Sequence, residues 1–143
     1  MKLCFSKNKL ALPVSVDLQD ALNRVISESG KWTPMIQSVV INFRDSTYSA
    51  ENGGYHPVEI RLVRNGEQWI FDYITDFAYY GYPFAELVKE IDFDFGNGVG
   101  RVVFQQDKPI TCDEIEELYQ LWENNFIAYY ETGAFDEVEV TVH

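Results

Sequence analysis

Cysteine, histidine and long apolar runs are all scarce in this chain. Cys4 and Cys112 stand alone among 143 residues. With no C-x-x-C pair and no even framework, a disulfide scaffold is excluded. No stretch approaches the ~18 uncharged apolar residues of a membrane-spanning helix. Lys2, Lys7 and Lys9 interrupt the start before a signal-peptide run can form, so a reducing cytoplasm is the expected setting. Basic residues are missing altogether from residues 109–143, which hold nine acids and no Lys or Arg. That segment carries −9 of the whole-chain net charge of −12. Binding to a nucleic-acid backbone needs positive charge and is disfavoured. A basic protein partner is the complementary expectation, set against the plainer one that acidic surface keeps the protein soluble.

What is present suffices for a core. Hydrophobic residues make up 46% of the chain, with ten Phe, nine Tyr and three Trp, too many for a disordered segment. A chain of this length buries roughly two thirds of its unfolded surface, and residues 1–143 read as one domain, with 1–13 as a basic leader: a loose arm, or an edge strand at Leu10 and Leu12.

The clearest element is a hairpin from Val58 to Ile74. Asn65-Gly66 suits a two-residue type I′ turn, and the flanks alternate with period two. That register sets Leu62 opposite Trp69, Ile60 opposite Phe71 and Val58 opposite Tyr73 on an apolar face. On the other face Glu59 falls opposite Asp72, with Arg61 able to bridge both. A helix precedes the hairpin, with Leu18, Ala21, Leu22, Val25 and Ile26 on one stripe, Ser15 as its cap and Gly30 at its end. The hairpin's apolar face is the natural bed for it. Between them lie a strand over 37–44 and a polar loop over 45–54. Beyond the hairpin, residues 76–88 either extend the third strand or turn at Gly81 and Pro83. Glu90 to Phe95 and Arg101 to Gln105 alternate as two further strands joined at Gly96-Asn97-Gly98, and Asp107-Lys108-Pro109 ends the second. Thr111 and Glu114 have capping-box spacing at the head of a helix whose stripe is Ile115, Leu118, Tyr119, Trp122, Phe126 and Tyr129. Gly133 ends it, and a last strand spans 137–142. These elements predict an α+β fold: a twisted antiparallel sheet of about six strands with an N-terminal and a C-terminal helix packed on one face.

Candidate chemistry is sparse. His56 lacks a second His or a Cys at ligand spacing; as an acid–base group it would need Asp76 or Asp72 brought to it by the fold. Glu59 and Asp72 read as an Arg-bridged surface cluster or as a proton-sharing pair. Glu90, Asp92 and Asp94 alternate as though to meet a hard cation, but no calcium-loop pattern follows, so a solvated face or a rim for a basic partner is expected. No cofactor is expected and no residue is assigned to a metal. The aromatic run of Phe77, Tyr79, Tyr80, Tyr82 and Phe84 reads as core lining, or as an exposed interface patch.

Three stretches carry a resemblance: Gly54-Tyr55-His56-Pro57-Val58-Glu59, Ile74-Thr75-Asp76-Phe77 and Glu90-Ile91-Asp92-Phe93-Asp94-Phe95. With them nearly the whole chain resembles a small bacterial family known as domain of unknown function 2787. The resemblance implies a twisted antiparallel sheet flanked by terminal helices. That fold is similar to the acidic mitochondrial matrix proteins that bind complement globular heads, form doughnut-shaped trimers and engage many protein partners, and to the cone-shaped fold of nuclear transport factor two. It brings no catalytic residues. Unlike the acidic matrix proteins, this chain closes with a strand after its last helix.

The leading functional expectation is a non-enzymatic acidic module that binds basic proteins, with mimicry of nucleic-acid charge as one variant, and forms a homo-oligomer. Its binding surface would comprise Asp113, Glu116, Glu117 and Glu123. The alternative is a small-molecule or enzymatic pocket in a cone formed by the curved sheet and the helices. Its walls would be Trp69, Phe71, Tyr73, Phe93 and Trp122, and His56, Asp72, Asp76, Tyr79 and Tyr80 are the residues it would use.

Overall fold

The computed structural model describes residues 3–6 and 10–143; Lys2, Lys7 and Lys9 lie outside them. Helix α1 (Val16–Ser29) starts where Ser15 Oγ accepts the Leu18 N–H at 3.1 Å and stops at Gly30, left-handed at φ 70°. Strands β1 (Ser38–Arg44), β2 (Val58–Asn65), β3 (Gln68–Tyr80), β4 (Glu86–Asp94), β5 (Val99–Val102) and β6 (Lys108–Pro109) follow. Helix α2 (Asp113–Glu131) and β7 (Glu137–Val142) come last. The strands form one antiparallel sheet in the order β6-β5-β4-β3-β2-β1-β7. There are seven strands where about six were expected, because Lys108–Pro109 folds back to pair with Val99 and Gly100. Residues 76–80 extend β3, and the turn falls at 81–85. The α+β class stands.

The buried apolar residues form one cluster. Leu18, Leu22 and Ile26 of α1 join Ile115, Tyr119, Trp122 and Phe126 of α2 over Ile41, Phe43, Ile60, Leu62, Ile74 and Phe93 of the sheet. Burying such a side chain contributes about 1.5–3 kcal/mol, so one shared cluster holds both helices to one face. Helix α1 shares this cluster with the hairpin residues Ile60, Leu62, Trp69 and Phe71, and its backbone also runs close to β7 and α2. The described part of the leader is docked: Leu3 and Leu12 are buried, the Leu3 N–H reaches Asn23 Oδ1 at 2.6 Å, and Phe5 forms a parallel bridge to Trp69. Neither a loose arm nor an edge strand at Leu10 and Leu12 describes it.

The hairpin register differs from the one the turn dipeptide suggests. Its turn residues are Gly66 and Glu67, with Asn65 paired to Gln68. Only Gly66 has positive φ, at 67°, the pattern of a type II′ turn rather than type I′. Leu62 therefore faces Phe71, and a bulge follows: Arg61 pairs with Tyr73, leaving Asp72 as the extra residue. Past the bulge the parity of β3 inverts, so Ile74, Asp76 and Ala78 succeed Trp69 and Phe71 on the helix-covered face. Glu59 pairs with Thr75, not Asp72. It accepts from the Tyr73 hydroxyl, while Asp72 pairs with Arg61 at 2.6 Å. The proposed like-charge pair does not exist, because the turn shifts the register by two residues and the bulge then displaces Asp72 from the pairing.

Further corrections concern the acids and aromatics. Asp92 and Asp94 are buried. Arg101 Nη1 sits 3.1 and 2.8 Å from them, and Thr75 Oγ1 donates to Asp92 at 2.8 Å, so they are an internal ion cluster rather than a solvated face. The Thr111–Glu114 capping box does not form: Cys112 is the N-cap without a side-chain bond, and Glu114 pairs with Lys108. Tyr82 and Phe84 are 98% and 85% exposed at the β3–β4 turn, so that aromatic run does not line the core. Trp69, Phe71 and Phe93 pack against other rings within the core, and Tyr73 bonds Glu59 instead. They do not wall a cone; of the five, Trp122 borders the cleft beside His56 and Asp76.

Candidate functional site

The 45–55 loop builds the first part of the site. Asp45 accepts the Thr47 N–H at 3.0 Å through Oδ1 and the Tyr55 N–H at 3.1 Å through Oδ2, an Asx-type closure that a short carboxylate side chain favours. A bond from the Thr47 hydroxyl at 2.6 Å, followed by these two, holds the Asp45 carboxyl below its usual range. Gly54, at φ 136°, lies so close that a Cβ there would stand 2.8 Å from Asp45 Oδ2. Pro57 then accepts the Phe77 N–H at 2.9 Å and locks the loop's exit onto β3. His56, one residue earlier, is thereby set against the end of the sheet.

β3 and β4 supply the rest. Asp76 pairs with Ile91 and Phe77 with Lys89, so Glu90 is the extra residue of a second bulge. Glu90 lies two residues beyond Val88, which pairs with Ala78 on the face of Asp76, and the bulge leaves Glu90 on that face too. His56 Nδ1 is 2.9 Å from Asp76 Oδ1 and 2.9 Å from Glu90 Oε2. Trp122 Nε1–H donates to Asp76 Oδ2 at 3.0 Å, and the Tyr80 hydroxyl donates to Glu90 Oε1 at 3.2 Å. The hydrogen bond to Asp76 raises the His56 pKa; burial opposes this, and the charges of Asp76 and Glu90 add to it. Burial raises the Tyr80 hydroxyl pKa, with the Glu90 charge acting in the same direction.

The cluster borders a cleft of about 290 Å³ between the loop, β3 and α2, lined among others by Tyr55, His56, Asp76, Trp122, Asn125 and Tyr129. Of the five pocket residues expected from sequence, His56, Asp76 and Tyr80 converge. Asp72 stays with Arg61, and Tyr79 packs on Tyr48, whose hydroxyl accepts its N–H at 3.0 Å. Sequence reasoning missed Glu90 as a partner of His56 and Trp122 as a donor. No local signal marks either, since Glu90 reads as a member of the Asp92–Asp94 face until the bulge is known.

The acidic surface is the second candidate. Asp113, Glu116 and Glu117 are exposed on the first two turns of α2. Glu123 is not part of it: it is buried, accepts the Tyr119 hydroxyl and takes the Ser15 N–H at 3.1 Å. It falls between Tyr119 and Phe126 on the buried stripe, where an internal donor pair replaces water.

Two solved structures share this architecture. The hypothetical protein VC0508 from the VSP-II pathogenicity island of Vibrio cholerae is 36% identical, with a TM-score of 0.91, 99% of this chain covered and 100% of that one. The conserved hypothetical protein VC1805 from pathogenicity island VPI-2 of Vibrio cholerae O1 biovar eltor is 45% identical, with a TM-score of 0.81 over 92% of this chain and 96% of that one. It is described as sharing structural homology with the human P32 protein. No curated protein matches the chain. Residues 16–141 match the family described as proteins of unknown function, DUF2787, and the chain belongs to that family.

Proposed function

We propose that this protein is a non-enzymatic interaction module that binds basic protein partners through the acidic outer surface of α2. One observation carries the reading: eight of the nine acids in residues 109–143 are exposed, in a segment without Lys or Arg. Such a surface draws positive partners by long-range attraction and repels nucleic-acid backbone. The likeness of its relative VC1805 to human P32 accords with an interaction role by analogy of fold. The reading includes a homo-oligomer and a cytoplasmic setting; among the described residues no helix is long and apolar enough to cross a membrane. Lys31 Nζ donates to the Val140 carbonyl at 2.6 Å and blunts β7 as a pairing edge, so copies would meet through the helices, where Leu121 is 61% exposed, or through the opposite sheet edge at β6.

The test is capture from a lysate of the source cell by immobilised wild-type protein and by D113N/E116Q/E117Q, each washed at low and then high salt. A set of basic proteins held by wild type, lost at high salt and absent from the variant supports the reading. The same set on both proteins overturns it.

The cleft favours a second reading, a small-ligand site, because its size approaches the lower end of ligand pockets and it brings polar groups next to aromatic rings. Quenching or enhancement of Trp122 fluorescence in a small-molecule screen tests this. A screen that leaves the emission unchanged while the protein stays folded counts against it.

A further inference from the structure

We propose that His56, Asp76 and Glu90 form a binding site for a divalent first-row transition-metal ion, with zinc the ion to test first. The inference is independent of the acidic-surface reading, since none of these residues belongs to α2 or to the last 35 residues.

Four observations point the same way. Three ligand atoms of suitable type lie within 4.8 Å of one another, and two of the separations, both from His56 Nδ1, are 2.9 Å. An ion with bonds of about 2.1 Å sets neighbouring ligands about 3 Å apart in octahedral and about 3.4 Å apart in tetrahedral geometry, so those two separations need change by no more than about 0.5 Å to meet either. Each carboxylate also has its other oxygen held by an aromatic donor outside the cluster: Trp122 for Asp76 and Tyr80 for Glu90. Outer partners of this kind orient metal-binding carboxylates and leave the inner oxygens facing the ion. Glu90 Oε2 is buried and makes no hydrogen bond, although it sits beside His56 Nδ1. Its one polar neighbour is therefore the His56 nitrogen, and the oxygen calls for a positive charge at that point, a proton or a metal ion. Finally, the cluster opens on the cleft, so a three-ligand ion would keep positions free for water or a substrate oxygen.

The chemistry of the donor set narrows the ion. Two carboxylates and a neutral imidazole carry −2, which a dication balances. The imidazole nitrogen favours zinc, iron(II), cobalt or nickel over calcium and magnesium, which prefer oxygen donors, while the two carboxylates also admit manganese. The rival arrangement is a proton on His56 Nδ1 shared with the two carboxylates; the ion would take that proton's place.

The experiment is equilibrium dialysis of chelator-treated full chain against zinc with metal analysis, alongside nitrogen-15 NMR of the His56 ring. The expected result is one zinc per chain at micromolar concentration, a zinc-dependent shift at Nδ1 of His56, and affinity reduced by about tenfold or more in E90Q and D76N. Y80F, which removes only the outer donor, should bind more weakly than wild type but more tightly than E90Q. The proposal is overturned if wild type binds no zinc, manganese or nickel in the micromolar range. Zinc that binds with equal affinity to E90Q and D76N, or that leaves the His56 ring resonances in place, overturns it as well. The NMR readout is on the wild-type protein, so it decides the matter even if a variant fails to fold.

Discussion

Glu123 accepts the backbone N–H of Ser15 at 3.1 Å across 108 residues of sequence, so a carboxylate on α2 holds the residue that starts α1. Ser15 in turn caps α1 with its hydroxyl. The two helices are joined by a polar contact at the edge of an apolar cluster.

Replacing Glu123 by Ala strands the Ser15 N–H and the Tyr119 hydroxyl. A buried donor left without its charged acceptor costs about 1.5–3 kcal/mol, so Glu123→Ala is expected to lose about 2–3 kcal/mol in guanidinium unfolding. Glu116→Ala, on the exposed face, should stay within about 0.5 kcal/mol of wild type. Equal small effects for the two would refute the buried role of Glu123.

Gly100 lies under the first turn of α2, where a Cβ would come within 2.5 Å of Ile115 Cδ1 and 2.7 Å of its Cγ1. Gly100→Ala should therefore destabilise by about 1–3 kcal/mol through overpacking. In an Ile115→Ala background the same change should cost much less. A double-mutant cycle measures the difference, and additivity would show that helix and strand do not meet there.

Burial alone would raise the Asp94 carboxyl, but hydrogen bonds from Arg101 and Asn97, together with the Arg101 charge, hold it below its ordinary value of 3.8. A carboxyl whose folded pKa is depressed contributes stability that is complete above the unfolded value and is lost as pH falls through the folded one. Asp94→Asn is thus expected to be less stable than wild type at neutral pH, with the gap closing as pH drops below about 3.8. Arg101 is 38% exposed, so solvent screening keeps the gap modest. Urea midpoints taken at neutral and at acid pH provide the check; a gap that widens on acidification would contradict the assignment.

Tyr82 and Phe84 project from the β3–β4 turn with 98% and 85% of their surface exposed. The double variant Tyr82→Ser, Phe84→Ser should keep its unfolding midpoint, with a change within about 0.5 kcal/mol. A loss of several kcal/mol would mean that these rings are covered, by this chain or by a second copy. Repeating the measurement across protein concentrations separates those two cases.

Much of the scaffold was legible in the residues themselves. Ser15 and Gly30 bound α1 as expected because capping is a contact between near neighbours. β7 occupies the predicted span of 137–142, since an alternating run of Val, Glu and Thr has one way to bury a face. At the far end of α2 the Gly133 N–H reaches the Tyr130 carbonyl and the Ala134 N–H the Tyr129 carbonyl, the closure that a left-handed glycine allows.

The site was only half legible. The sequence points to His56, Asp76 and Tyr80, but it points equally to Asp72 and Tyr79 and passes over Glu90 as a partner of His56. Asp72 and Glu90 share a feature that sequence alone does not show: each is the extra residue of a β-bulge, and for Asp72 the shifted turn register adds to it. Period-two reasoning assigns faces only while the register runs unbroken, and one inserted residue turns every later side chain to the other side.

By itself the sequence determined the elements that local contacts specify: the helix caps, the alternating strands, the concentration of acids in the last 35 residues and the α+β class that follows from their order. Tertiary structure alone decided the two bulges, the burial of Glu123 and the meeting of His56, Asp76 and Glu90. Those features depend on how strands far apart in the chain slide, twist and pair, and on which donors a buried carboxylate finds across the core. No window of neighbouring residues contains that information.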